Sequence, residues 1–411
     1  MNMKKVLMIA YYFPPIAGGA AVRTLKFAKY LSQFGWKPVI LTVRNPDRFA
    51  VKLDRNDMGD ELRKERIFRS FSIPLGWIFK IGRLGINHKW FSTPDPFIAW
   101  LPSAFYLGKE IVTDENIDLI YASCPPATGL LVGALLKRVA KNPLVVEYQD
   151  LWIGNPFASY PTRIHYNLEK KMEEQVLKYY DAIVTTTNCQ KEELLNVYPF
   201  LEKTSVHIVT NGFDPKDFSD VKPIKYDKFT IVHTGAIYGP RVDHFKIFLK
   251  ALHRLLQRTE VPDFQIVLVG SLKRGRKFIH ELGLASRVIL LGQKSHAESV
   301  QFALGADALL LIPGSPSVVP IKLPEYLAAG KFILNISDPS GETARIIDQA
   351  NAGITVKPDV FSVQKSLHEI LVLKTRKIKK NTKVIKQFSD VELAKKLASI
   401  FDQELKKSQG K

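Results

Sequence analysis

Lys322 and Glu325 stand three residues apart in the run Pro320-Ile321-Lys322-Leu323-Pro324-Glu325-Tyr326-Leu327-Ala328-Ala329-Gly330. On a helix that spacing puts both side chains on one face, where the ammonium could hold a phosphate and the carboxylate could accept from a sugar hydroxyl. The competing reading is a surface ion pair. Arg241 closes the run His233-Thr234-Gly235-Ala236-Ile237-Tyr238-Gly239-Pro240-Arg241. Its planar guanidinium could fork onto a diphosphate, or stand in solvent. Gly18 and Gly19, in Pro14 to Ala20, could let backbone amides approach a phosphate at a helix start, or form an ordinary flexible turn. Asp150 follows the apolar Leu144–Tyr148 and could accept from a substrate hydroxyl, or cap a turn. Ser123-Cys124-Pro125-Pro126 is a rigid turn that shapes a cleft without doing chemistry.

These residues need scaffolds that end in loops at one edge. Apolar runs over Val6–Tyr11, Val39–Val43, Leu119–Ala122, Leu144–Tyr148 and Ala182–Thr186 alternate with helical patterns over Ala21–Phe34, Thr128–Val139 and Arg163–Tyr180. The alternation restarts at Phe229, with strands expected at Thr230–His233, Gln265–Val269, Val288–Leu291, Ala308–Leu311 and Phe332–Ile336. Such a pattern predicts parallel sheets covered by helices, hence two Rossmann-like domains joined at Asp214–Asp227. The loops singled out above then follow strand ends, where open α/β sheets take ligands.

With 411 residues, 46% of them hydrophobic, the chain is long enough for two cored domains. A net charge of +19 attracts phosphates, anionic lipid or nucleic acid without specifying a fold. The basic residues are dispersed and no nucleic-acid-binding module is recognisable, so nucleic acid is not expected as a partner. Cys124 and Cys189, the two cysteines, have no metal-ligand spacing, which fits a reducing cytoplasm. The first residues, with Lys4-Lys5 before an apolar run, imitate a secretory signal but read as a buried first strand. The apolar stretches elsewhere fall short of the ~20 residues a membrane-spanning helix needs.

Taken in order, the aromatic-Pro-Pro of Phe13 to Pro15, Gly18-Gly19 with Arg23, Ser123 to Pro126, Asp150-Leu151-Trp152, Asn211-Gly212-Phe213-Asp214, Thr234-Gly235 and Lys322 to Gly330 resemble the retaining glycosyltransferases of family 4. The resemblance covers nearly the whole chain. It implies an α/β GT-B fold: two Rossmann-like domains with parallel sheets and an interdomain cleft. Residues 1–214 would bind the acceptor, 215–385 the nucleotide-sugar donor, and a final helix within 386–411 would pack back on the first domain. By motif, Glu325 resembles the carboxylate that binds the donor ribose, and Arg241 and Lys322 the cations facing the diphosphate. Gly18 and Gly19 resemble the loop closing over that diphosphate, Gly235 lies in the matching loop of the second domain, and Asp150 sits among acceptor-side polar groups.

One departure concerns the donor sugar. Many family members carry a Glu-x7-Glu pattern, and Ser317 occupies the place of the first glutamate. Backbone amides around Ser317 and Val318 are the expected substitutes, and sugar identity stays open. The family's same-face mechanism requires no protein nucleophile, and cations in the role of magnesium imply no metal and no cofactor beyond the donor substrate. The implied partners are a nucleotide sugar and a saccharide or lipid-linked acceptor, commonly in bacterial surface polysaccharide synthesis. A nucleotide-sugar epimerase of the same fold, a basic nucleic-acid-binding protein and a catalytically silent scaffold are the alternatives.

Between Ile67 and Leu107, Trp77, Phe79, Trp90, Phe91, Phe97 and Trp100 are interleaved with Lys80, Arg83, His88 and Lys89. Rings among cations suit an interfacial membrane contact, and equally suit packing within the first domain. The basic run Lys374–Lys380 adds to the case for a peripheral position on an anionic inner leaflet.

Overall fold

The computed structural model describes residues 3–46, 51, 53, 66–73, 75, 93–155, 158–258, 260–272, 275–372 and 379–410. The chain divides into two compact units, one formed by Met1–Thr210 with Asp390–Lys411, the other by Asn211–Ser389. The stretch from Asp214 to Asp227 belongs to the second unit. Asp214 there is buried and accepts from the Lys216 amide at 2.9 Å, and the Ile224 amide donates to Gln301 at 3.2 Å.

In the first unit seven parallel strands, β1 (Lys4–Ile9), β2 (Trp36–Val43), β3 (Arg66–Ser70), β4 (Leu119–Cys124), β5 (Leu144–Tyr148), β6 (Ala182–Thr185) and β7 (Val206–Ile208), run in the order β3-β2-β1-β4-β5-β6-β7. Successive residues point to opposite faces, so Leu7, Ile9, Val39 and Ile120 join one core while Val6, Met8, Ile40 and Leu119 join the other. With both faces covered, the central strands read as largely apolar runs rather than alternating ones. The helix Asp390–Gln409 buries Leu397 and Phe401 in the second of these cores, against Trp36 and Tyr121.

The second unit has six parallel strands, β8 (Phe229–Thr234), β9 (Phe264–Val269), β10 (Val288–Gly292), β11 (Ala308–Leu311), β12 (Phe332–Ile336) and β13 (Gly353–Val356), ordered β10-β9-β8-β11-β12-β13. Each sheet is an α/β Rossmann-like arrangement whose strand order reverses at one point, between β1 and β4 in the first and between β8 and β11 in the second. At such a point neighbouring crossovers leave in opposite directions and open a crevice at the carboxyl edge.

Three strands, β3, β7 and β13, were not expected from the sequence, and all three lie at sheet edges. An edge strand is covered less completely, so charges enter it, as at Arg66 and Arg69. Of the aromatics between 67 and 107, Phe97 and Trp100 are buried in the first unit's core, and the Trp100 indole donates to Ser70 Oγ at 2.8 Å. Trp77, Phe79, Lys80, Arg83, His88, Lys89, Trp90 and Phe91 lie outside the described residues, as does the basic run up to residue 378. Among the described residues no helix is long and apolar enough to cross a membrane.

Candidate active site

The crevice of the second unit is built by the loops after β8 and β11. Gly235, just past β8, has a φ of 129°, and its amide donates to Val269 at the end of β9. A Cβ on Gly270 would stand 2.1 Å from the Gly235 carbonyl oxygen, so these two strand ends meet at a separation only glycine permits. Arg241 opens the helix Arg241–Arg258 and ties the two crevice loops together: Nε donates to the Pro313 carbonyl at 3.1 Å, and Nη1 reaches the Ala236 carbonyl at 3.4 Å. Its guanidinium also lies over the Tyr238 ring, 5.1 Å from the centroid. A partly buried cation is thereby fixed where the strand order reverses.

The loop after β11 leads into the short helix Lys322–Ala329. Lys322 Nζ donates to Glu325 Oε2 at 2.7 Å, and His296 Nε2 lies 3.3 Å from the other oxygen, Oε1. His296 starts the helix His296–Gly305, and its Nδ1 is 3.8 Å from Asp217. Burial pushes the Glu325 carboxyl up, but the Lys322 charge and the His296 hydrogen bond outweigh it and hold the group at about 2. Its hydrogen bond to Glu325 raises the His296 pKa in turn. Glu325 is therefore ionised at neutral pH, and each oxygen has lone-pair capacity for a second donor.

Behind this pair, the Tyr326 hydroxyl accepts from the Thr234 amide at 2.7 Å and fixes the helix to the end of β8. His233 Nδ1 lies 2.9 Å from the Leu310 carbonyl, so that nitrogen carries the proton. Burial, with the Arg241 and Lys322 charges, lowers the His233 pKa to about 4, which leaves Nε2 a bare acceptor with no partner among the described residues. A Cβ at Gly235 would come within 3.9 Å of that Nε2 and 3.8 Å of Lys322 Cγ, so these groups adjoin one another. Ser317 and Val318 belong to the same loop. Ser317 Oγ pairs with Ser315 Oγ at 3.1 Å, and the Val318 carbonyl accepts from Thr343 at 3.0 Å.

In the first unit, Gly18 precedes the helix Gly19–Leu31 with a φ of 129°, and a Cβ placed on it would have no neighbour within 4 Å among the described residues. One turn on, buried Arg23 donates through Nε to Glu147 Oε1 at 2.9 Å and through Nη2 to the Val209 carbonyl at 2.6 Å. Glu147, fully buried at the end of β5, also accepts from Ser123 Oγ at 2.8 Å. This network locks the ends of β4 and β5 to the helix that follows Gly18 and Gly19. Asp150, half-buried, lies just past β5. The backbone after it is held by Glu173, which accepts from the Ile153 amide at 3.1 Å and from Tyr198 at 2.7 Å, and whose carboxyl burial raises to about 7.

Residues 17–217 match the family model described as Glycosyltransferase Family 4, and residues 228–372 match the one described as Glycosyl transferases group 1. The chain belongs to the family 4 glycosyltransferases. No curated protein matches this glycosyltransferase in sequence. Among solved structures it is similar to sucrose-phosphate synthase from Thermosynechococcus elongatus, with a TM-score of 0.69 at 17% identity over 97% of this chain and 98% of that one. It is also similar to Anabaena HepE in complex with UDP and glucose, with a TM-score of 0.67 at 16% identity over 98% and 100% of the two chains. A putative UDP-N-acetylglucosamine 2-epimerase from Listeria monocytogenes gives 0.57 at 12% identity over 99% and 98%. These likenesses establish the GT-B fold, which transferases and epimerases share.

Of the site residues read from this glycosyltransferase's sequence, Gly235, Arg241, Ser317, Val318, Lys322 and Glu325 gather on the two crevice loops of the second unit. Gly18, Gly19 and Asp150 stand at the carboxyl edge of the first sheet. His296 and His233 were missed. His296 reaches Glu325 only through packing of two helices, and His233 carried no motif beyond its place before Thr234-Gly235.

Proposed function

We propose that this glycosyltransferase moves a sugar from a nucleoside-diphosphate sugar to a saccharide or lipid-linked acceptor with retention of configuration. The observation that carries the reading is the ionised Glu325 set beside Lys322, with Arg241 anchored across the neighbouring loop. A carboxylate next to two fixed cations suits a ligand that offers hydroxyls and a diphosphate together. HepE, of the same fold, was crystallised with UDP and glucose, which supports a nucleoside-diphosphate donor.

In this reading Glu325 accepts from the donor ribose while Arg241 and Lys322 face the diphosphate. As the glycosidic bond breaks, negative charge grows on the leaving diphosphate and positive charge on the sugar ring. Cations already in place then act most strongly at the transition state and need not reorganise. Same-face attack by the acceptor, its proton passing to the leaving phosphate, requires no protein nucleophile. Arg241 and Lys322 take the charge-neutralising part, so the reaction is proposed to run without a metal. Gly18 and Gly19 offer amides at a helix start, suited to phosphates. The first unit carries the acceptor, with Asp150 orienting its hydroxyl, and the family resemblance supports surface polysaccharide assembly as the setting.

The test is a panel of nucleotide sugars with saccharide acceptors, read by nucleoside diphosphate release and by NMR of the product's anomeric centre. Retained configuration in a transferred sugar is the expected result. Inverted product would refute the mechanism, and interconversion of donor epimers without acceptor would favour the epimerase reading.

A further inference from the structure

The first unit contains a cavity of about 280 Å³ at the β1/β4 reversal. Tyr12 enters from the loop after β1, Trp152 from the loop after β5, and Phe97 and Tyr160 close the sides. The rings are fixed by contacts among the lining residues themselves. The Trp152 indole donates to Glu169 at 2.9 Å, the Tyr160 hydroxyl donates to the Trp152 carbonyl at 3.0 Å, and Tyr12 meets Phe97 edge to face at 5.8 Å. Two acids, Asp95 and Glu169, line the same wall. Asp95 is held by the Thr128 amide and hydroxyl, each at 2.8 Å, and by the Phe97 amide at 2.9 Å.

Charge decides what fits. The chain carries +19 overall, yet among the described residues no lysine, arginine or histidine lines this cavity. An anionic group entering it would lose water and meet two acids with no cation to pair with. A neutral ring with hydroxyls matches both wall types, since its apolar C–H face covers an aromatic ring and its hydroxyls bring no charge to oppose the acids. The volume lies just below the ~300–1,000 Å³ range of ligand pockets, which is room for one ring. Asp150 immediately precedes Leu151 and Trp152 of the lining.

We propose that this cavity is an acceptor subsite for a single uncharged pyranose, stacked on its aromatic walls, and that it excludes uronic and phosphorylated sugars. The proposal rests on the reading that the first unit carries the acceptor. It restricts the glycosyl unit at the growing end to a neutral or N-acetylated sugar, and any phosphate of a lipid-linked acceptor must lie outside the cavity.

The experiment is saturation-transfer NMR on the full chain with methyl glucoside, galactoside, mannoside and N-acetylglucosaminide, set against methyl glucuronide and glucose 6-phosphate. Nucleoside diphosphate release from nucleotide sugars is measured on the same samples. At least one neutral glycoside should show transfer that falls about five- to tenfold in Tyr160→Ser, with no signal from the two anions. In Ala158→Lys, which adds a cation at an exposed position of the rim, glucuronide should gain a signal. Anions that match the neutral sugars in wild type, or an absence of any Tyr160-dependent signal, overturn the proposal. If nucleoside diphosphate release is nevertheless acceptor-dependent, the acceptor reading survives that result. If no donor is turned over with any acceptor, the broader reading has failed.

Discussion

Replacing Arg241 with alanine separates a catalytic cation from a structural one. The guanidinium makes two hydrogen bonds to carbonyls, at 3.1 and 3.4 Å, from a partly buried position. Each is worth ~0.5–1.5 kcal/mol net, and the second is long, so the variant should lose no more than about 2 kcal/mol of stability. Transition-state charge is a larger matter. Loss of one preorganised donor to developing negative charge typically costs ~2.7–4 kcal/mol, or roughly 10²–10³ in turnover. Donor affinity should suffer less, because the diphosphate carries less charge on its leaving oxygen before the bond breaks. Arg241→Lys keeps the charge but loses the two-carbonyl anchorage that aims it, and should fall between wild type and alanine. The assay is single-turnover transfer at saturating donor, with donor dissociation constants measured separately and chelator shown to leave the wild-type rate unchanged. A rate within twofold of wild type would refute the reasoning, as exposed cations are worth only ~0–1 kcal/mol. Equal losses in rate and affinity would mean that Arg241 only holds the donor.

Glu325→Gln should reveal the triad through pH. The Glu325 pKa falls from 4.5 to about 2 on folding, so its contribution, about 3 kcal/mol, is present above pH 4.5 and lost as pH falls toward 2. That of His296, whose pKa rises from 6.5, is present below 6.5 and lost as pH rises through the folded value. The stability gap between wild type and variant, from urea unfolding, should therefore peak near pH 5–6, and a pH-independent gap would contradict the triad. In the first unit, Arg23→Met strands the fully buried Glu147 carboxylate and should cost ~3–5 kcal/mol in the same measurement, whereas a loss below 1 kcal/mol would show that the network is slack. Gly270→Ala forces a methyl to 2.1 Å from a backbone oxygen at a φ of 138°, and should abolish donor binding before it abolishes the fold. Unchanged nucleotide affinity in that variant would show that the strand-end geometry is dispensable.

The central strands were legible because burial on both faces makes them largely apolar runs, unbroken in Ala308–Leu311 and interrupted by Glu147 in Leu144–Tyr148, and the bounds of both agree with expectation residue for residue. Edge strands such as Val206–Ile208 and Gly353–Val356 lack that signal. Within the site, the Lys322–Glu325 pair was legible because helical spacing alone brings those residues together. Its third member was not, since His296 depends on how two helices pack. Arg23 and Glu147 are joined only through tertiary structure, and the carbonyls that aim Arg241 leave no trace in residue identity. The aromatic cavity of the first unit was hidden for the same reason, its walls coming from loops far apart in sequence.

The claim that a nucleoside diphosphate seats its ribose on Glu325 is tested most directly by calorimetric titration of UDP, GDP and ADP, each paired with its 2′,3′-dideoxy counterpart, into wild type and Glu325→Ala. At least one ribonucleotide should bind wild type more tightly than its dideoxy partner by ~1.5–3 kcal/mol, the worth of hydrogen bonds to a charged acceptor, and the gap should close in the variant. A gap of the same size in both proteins, or no binding of any of the three, would contradict the account.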